Sequence, residues 1–211
     1  MPFVDEARTQ IKFCGMTRLQ DVQLAVQFGV DFIGLIFAPT SKRKLSLAQA
    51  IPLRENIPST TAVVALCMDN TADDIAEIVE NLQPDYLQFH GREDDAFCAQ
   101  FAYPFFKVIA MNDALPAQQQ MTSMPSAYGF VLDGHALGEA GGSGQTFDWA
   151  GLPACNKPAL LAGGLTPENV RDAIRHAYPW GVDVSSGIEQ LPGVKDPQKM
   201  QRFVAAVRAG A

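Results

Sequence analysis

Two side chains in this sequence end apolar runs at positions where they could move protons. Cys14 closes Ile11-Lys12-Phe13-Cys14, and Asp133 closes Tyr128-Gly129-Phe130-Val131-Leu132-Asp133. A carboxylate at the end of an apolar strand carries a desolvation cost that pairing or use must offset, so Asp133 is the stronger signal. A single cysteine is usually a small buried hydrophobe, and Cys14 alone decides nothing. Lys12 lies two positions before Cys14 and so shares its face of the strand. A lysine turned inward needs a partner, and Asp183, two positions before Ser185, is the best candidate. Such a pair is mainly structural, although a cation beside Cys14 would also favour the thiolate.

A second group of residues points to an anion. In Leu161-Ala162-Gly163-Gly164-Leu165-Thr166 two glycines let the backbone approach a ligand closely, and Val182-Asp183-Val184 is followed by Ser185-Ser186-Gly187. Either loop alone reads as an ordinary turn. Together, after neighbouring strands, their backbone N–H groups predict a phosphate site. Arg43 in the loop after the second strand, and Gln88 and His90 at the end of the fourth, complete the polar set. They read as substrate-binding, with a satisfied core imidazole the alternative for His90. Gly138 to Phe147, with Gly141-Gly142-Ser143-Gly144 at its centre, reads as a lid over the site or else as a plain surface loop.

The elements that must position these groups alternate along the whole chain. Apolar strand candidates are Ile11 to Gly15, Val30 to Phe37, Thr61 to Cys67, Asp85 to His90, Pro104 to Ala110, Ala127 to Asp133, Ala159 to Ala162 and Val182 to Ser185. Between and after them lie helical stretches near Leu19 to Phe28, Leu47 to Asn56, Ala72 to Leu82, Asp94 to Tyr103, Ala114 to Met121, Trp149 to Leu152, Pro167 to Ala177 and Pro197 to Ala209. Thr17, Ser46, Thr71 and Thr166 stand at expected helix N-caps. Strands alternating with helices demand parallel pairing, in an open doubly wound sheet or a closed barrel. Eight repeats in 211 residues favour the barrel, and no G-x-G-x-x-G follows the first strand. The expected fold class is therefore α/β, a compact single-domain (β/α)8 TIM barrel. Residues 11–211 form the catalytic domain, and residues 1–10 an N-terminal extension.

Composition narrows the function. A formal net charge of −7 repels polyanions, which argues against nucleic acid or an anionic membrane as partner. The apolar runs, such as Phe32 to Ala38, fall short of the roughly 20 residues that span a bilayer. Residues 1–10 are polar, without the apolar core of a signal peptide, and the predicted location is cytoplasmic. Cys14, Cys67, Cys98 and Cys155 are scattered, with no spacing for a metal, and read as thiols in a reducing cytosol.

In order along the chain, Ile11-Lys12-Phe13-Cys14-Gly15-Met16-Thr17, Asp31 to Phe37 with Ser41-Lys42-Arg43, Leu87-Gln88-Phe89-His90-Gly91, Leu132-Asp133, Gly141 to Trp149, Ala162-Gly163-Gly164-Leu165 and Val182 to Glu189 resemble the phosphoribosylanthranilate isomerases of tryptophan biosynthesis. The resemblance implies a (β/α)8 barrel that needs no cofactor and no metal. Its small phosphorylated substrate, N-(5-phosphoribosyl)anthranilate, undergoes an Amadori rearrangement in a monomer or homodimer. It implies that Cys14 is the general base, Asp133 the general acid and Arg43 the partner of the anthranilate carboxylate. Gly163, Gly164, Ser185, Ser186 and Gly187 fall on the phosphate site. Lys44 and Gln145 depart from the pattern, where an aromatic residue and a lysine are common. The alternatives are another phosphosugar barrel enzyme or a non-catalytic barrel that binds a phosphorylated metabolite.

For the rearrangement, Asp133 would need its pKa raised and Cys14 would gain from having its own lowered. Lys12 or a neighbouring backbone dipole is the expected cause of the second shift.

Overall fold

In the computed structural model, which describes residues 8–134 and 152–210, the apolar runs pair side by side in chain order. The strands are β1 (Gln10–Cys14), β2 (Phe32–Ile36), β3 (Ala62–Cys67), β4 (Tyr86–Phe89), β5 (Phe105–Ala110), β6 (Gly129–Asp133), β7 (Ala159–Leu161) and β8 (Gly181–Val184). Each is parallel to its neighbour and β8 returns to β1, so the expected barrel closes. Helices α1 (Leu19–Gln27), α2 (Leu47–Arg54), α3 (Ala72–Leu82), α4 (Asp95–Ala99) and α5 (Ala117–Thr122) make the crossovers after β1 to β5, α6 (Val170–Ala177) makes the one after β7, and α7 (Pro197–Arg208) follows β8. The stretch Gly138 to Phe147 expected as a lid, Gln145 included, lies outside the described residues, as do residues 149–151 of the helix expected from Trp149 to Leu152. β1 begins at Gln10, one residue inside the expected extension, of which residues 1–7 are likewise outside.

Strand periodicity decides what faces the axis. Phe32, Val64, Tyr86, Phe106, Val131 and Leu160 are buried together inside the barrel. The Phe32 ring meets two others edge-on, with Tyr86 at 5.9 Å and Phe106 at 6.1 Å. Two positions further along, the same inward face presents Gly34, Leu66, Gln88, Asp133 and Ala162, with Ile36 two beyond Gly34, while Lys12 is followed by Cys14 and Asp183 by Ser185. The lower layer thus fills the barrel with apolar bulk, and the polar set is lifted to the carboxyl-terminal rim.

Local signals set most helix starts, and tertiary contacts override others. Ser46 and Thr71 form the expected capping boxes. Thr17 does not cap α1: its hydroxyl donates to the Gly193 carbonyl at 2.5 Å, and Arg18 occupies the N-cap without a side-chain bond. Thr166 accepts from the Glu168 N–H at 3.2 Å as a capping hydroxyl would, but α6 starts later, with Asn169 at its N-cap. Asn169 accepts from the Thr166 N–H at 2.8 Å and donates to the Gly164 carbonyl at 2.9 Å, so a turn precedes the helix. α4 stops at Ala99 rather than Tyr103, since Ala102 takes a left-handed φ of 52° ahead of Pro104. Beyond β8, a hairpin of β9 (Glu189–Leu191) and β10 (Val194–Lys195) precedes α7. This hairpin is not among the strands expected from the sequence.

Candidate active site

A cavity of about 380 Å³ opens at the carboxyl ends of the strands, within the range of small-molecule sites. The expected catalytic and substrate-binding residues all line it: Cys14, Arg43, Gln88, His90, Asp133, Gly163, Gly164, Ser185, Ser186 and Gly187. Ile36, Ala38, Leu66 and Met68 supply an apolar wall on the β2–β3 side.

Cys14 sits at the end of β1 with 5 % of its surface exposed. Its register partner on β2 is Gly34, where a Cβ would meet the Cys14 Sγ at 2.7 Å. Gly34 therefore makes the space that the thiol occupies, a role invisible in one sequence. Lys12 is fully buried and donates to Asp183 Oδ2 at 2.7 Å, which is the expected pair. Burial opposes the Lys12 charge, but Asp183 and Cys14 outweigh it and hold the ammonium above its ordinary pKa.

The expected lowering of the Cys14 pKa does not occur. Burial pushes the thiol up, and Lys12 and Lys195 pull it back only in part, with Asp183 acting in the same direction as burial. Closure of the barrel removes more water from Cys14 than two nearby ammonium groups can offset.

Asp133 ends β6 with 7 % exposure. Both it and His90 lie within electrostatic reach of Asp183, and the Cys14 thiol, the Asp133 carboxyl and the His90 imidazole share one cavity mouth. Gln88 Oε1, Asp183 Oδ1 and Ser185 Oγ are buried without hydrogen-bond partners among the described residues. All three belong to residues that line the cavity. Buried acceptors of this kind call for donors from a ligand or water.

The two phosphate-type loops are in contact. Gly163 and Gly164 take φ of 82° and 63°, which side chains other than glycine rarely adopt. A Cβ on Gly187 would run into the Leu165 carbonyl, so the loops after β7 and β8 close against each other through that glycine. Asn169 pins the first loop from α6 through the Gly164 carbonyl.

Arg43 reaches the cavity from a loop that folds back on β2. Ile36 bridges to Lys44, and the Leu45 N–H donates to the Ile36 carbonyl at 2.8 Å. Lys44 itself is exposed, so the departure from an aromatic residue there leaves this anchorage to the backbone. The partner of Arg43 is Glu189, which no sequence pattern singled out. Nε and Nη2 donate to Glu189 Oε1 and Oε2 at 2.8 and 2.6 Å. Lys195 Nζ donates to Glu189 Oε1 at 2.9 Å, to the Cys14 carbonyl at 2.7 Å and to the Ser185 carbonyl at 3.0 Å. Burial would raise the Glu189 carboxyl, but Arg43 and Lys195 more than offset it and hold it below the usual range. The Pro192-Gly193 turn between Glu189 and Lys195 is the one sequence signal that could have revealed this pair.

Among the described residues no group of three or more His, Cys, Asp or Glu is placed to hold a metal ion. Among the same residues no helix is long and apolar enough to cross a membrane.

Residues 11–206 match the family model described as N-(5′-phosphoribosyl)anthranilate (PRA) isomerase. The chain is 50% identical over 206 residues to the N-(5′-phosphoribosyl)anthranilate isomerase of Xylella fastidiosa (strain M12), covering 95% of this chain and 92% of that protein. Its fold is similar to phosphoribosyl anthranilate isomerase from Thermotoga maritima, with TM-score 0.87, 32% identity and coverage of 95% and 99% of the two chains. A second solved isomerase, in complex with reduced 1-(o-carboxyphenylamino)-1-deoxyribulose 5-phosphate, superposes with TM-score 0.82, 27% identity and the same coverage.

Proposed function

The chain belongs to the N-(5′-phosphoribosyl)anthranilate isomerase family, and we propose that Cys14 and Asp133 carry the two proton transfers of its reaction. The activity is the isomerisation of phosphoribosylanthranilate in tryptophan biosynthesis. The observation that carries the assignment of roles is that Cys14 and Asp133 end inward-facing strands on one cavity, between the phosphate-type loops and Arg43.

In the first half-reaction the anthranilate nitrogen lone pair forms a C=N bond to C1′ as the bond from C1′ to the ribose ring oxygen breaks. The Asp133 carboxyl delivers the proton that this oxygen needs. The resulting iminium makes the C2′ proton acidic. Cys14, as thiolate, removes it to give the enolamine, which tautomerises to the 1-amino-1-deoxyketose. A thiol pushed up by burial is less often ionised but is the stronger base once it is.

The remaining groups position the substrate. Backbone N–H groups around Gly164 and Ser186 take the phosphate, which supplies locally the attraction that a chain of net charge −7 lacks overall. Arg43 takes the anthranilate carboxylate through the guanidinium edge that Glu189 leaves open. Gln88 Oε1, Ser185 Oγ and Asp183 Oδ1 accept from substrate hydroxyls, and His90 lines the pocket beside them. Cys14, Cys67, Cys98 and Cys155 are all unpaired thiols, which fits a reducing cytoplasm.

The test is to follow the loss of substrate fluorescence in wild type, Cys14→Ala and Asp133→Asn. Turnover by wild type and its collapse in both variants, with a product analogue still bound, is the expected result. Undiminished turnover in either variant removes that residue from its role.

A further inference from the structure

Four segments of the chain converge on two buried side chains that do not line the cavity. The Lys195 ammonium is saturated by three acceptors: the Cys14 carbonyl at the end of β1, the Ser185 carbonyl just beyond β8, and Glu189 Oε1 across the hairpin. Glu189 in turn holds two edge positions of the Arg43 guanidinium from the loop after β2. The hairpin that carries both residues is itself locked down. The Gly193 N–H donates to Glu189 Oε1 at 3.2 Å, the Lys195 N–H donates to Asp21 Oδ2 at 3.1 Å, and Thr17 donates to the Gly193 carbonyl.

Charge and geometry both give this arrangement a use. Arg43 and Glu189 alone would form a closed neutral pair with little attraction left for an anion. Lys195 adds a second positive charge, so the buried triad retains one net positive charge, carried toward the cavity by Arg43. A guanidinium has five N–H donors in a rigid fork. With Nε and one Nη2 hydrogen committed to Glu189, the edge formed by Nη1 and the other Nη2 hydrogen stays available for a carboxylate.

We propose that Glu189 and Lys195 are positioning residues for the reaction: Glu189 aims the Arg43 guanidinium at the substrate carboxylate, and Lys195 fixes Glu189 to the strand end that bears Cys14. This rests on the assignment of Arg43 to the anthranilate carboxylate. It makes recognition of the aryl carboxylate depend on two residues outside the pocket. A merely structural ion pair predicts nothing of the kind, because buried pairs contribute little to stability that well-packed apolar residues would not.

The experiment measures discrimination: the ratio of the affinity for reduced 1-(o-carboxyphenylamino)-1-deoxyribulose 5-phosphate to that for the same compound without its carboxyl group. The variants are Arg43→Ala, Lys195→Met, Glu189→Gln and the double variants that combine Arg43→Ala with each of the others. Lys195→Met and Glu189→Gln should each reduce discrimination by about tenfold or more, as for a loosened charge-assisted hydrogen bond. In the Arg43→Ala background neither should reduce it further by more than about twofold, because residues acting through one another are not additive.

Full additivity, or unchanged discrimination in both Lys195→Met and Glu189→Gln while Arg43→Ala abolishes it, overturns the proposal and leaves Arg43 in place. Unchanged discrimination in Arg43→Ala itself overturns the assignment of Arg43 instead. Circular dichroism and thermal unfolding confirm that each variant is folded. Should Lys195→Met not fold, Glu189→Gln, which keeps the size and one acceptor, decides the question.

Discussion

Lys12 on β1 and Asp183 on β8 are register partners, and their side chains meet inside the barrel with Nζ 2.7 Å from Oδ2. The pair closes the seam between the first and last strands with a buried bond and leaves an ammonium beside the Cys14 thiol. Removing one partner strands the other charge away from water. Lys12→Met should therefore destabilise the protein by about 3–5 kcal/mol, and Lys12→Met with Asp183→Leu by clearly less. Denaturant titrations of both variants test this, and equal losses would disprove it.

Cys14→Ala and Asp133→Asn should each lower kcat by about 10²–10⁴-fold, the usual contribution of a placed acid or base, and leave the binding of a product analogue largely intact. Cys14→Ser is the sharper control, since a hydroxyl keeps the size but does not ionise near neutral pH. A serine variant with most of the wild-type kcat would make Cys14 packing material and turn attention to His90.

The direction of the Cys14 shift fixes a pH dependence. The proposed base acts as thiolate and burial raises the Cys14 pKa, so kcat/KM should rise with pH through a limb above the usual thiol value of about 8.5. Lys12 opposes the shift, and Lys12→Met should move the limb to still higher pH. A pH–rate profile with the limb below the ordinary thiol range, or unmoved in Lys12→Met, contradicts this.

Gly34→Ala should damage activity more than folding. The added methyl meets Cys14 Sγ at 2.7 Å and Cys14 Cα at 3.1 Å, which displaces the thiol from its place at the rim. Overpacking of this kind costs about 1–3 kcal/mol of stability, and a displacement near 1 Å can lower turnover by up to about 10²-fold. Wild-type kinetics in a folded Gly34→Ala protein would show that the thiol needs no such space.

Inorganic phosphate should compete with substrate, and a product analogue without its phosphate should bind at least about tenfold more weakly, as expected for lost charge-assisted hydrogen bonds. Gly187→Ala should raise KM, because its Cβ runs into the Leu165 carbonyl and pushes the two loops apart. Isothermal titration checks both, and equal affinity with and without the phosphate would remove these loops from the role.

Fold and rim were legible in the sequence because both depend on short-range order. Alternating apolar runs and helical stretches dictate parallel strands with crossovers, and a period of two along each strand puts Cys14 on the face of Lys12 and lifts Asp133 above Val131. Ser46 and Thr71 cap their helices because a cap is settled within three residues. The Lys12–Asp183 pair was accessible for the same reason, since closure of the barrel makes β1 and β8 neighbours.

Only the tertiary structure decided the partner of Arg43, the anchor of the Cys14 strand end and the state of the thiol. Glu189 lies 146 positions from Arg43, and Lys195 lies 181 from Cys14. Thr17 left its helix for Gly193, 176 positions away. Partners so distant leave no trace in local pattern or propensity, and desolvation is a property of the closed barrel rather than of any segment. Cys14 therefore has a raised pKa although Lys12 stands two residues away: the water removed by eight strands together outweighs the one cation that the sequence places beside it.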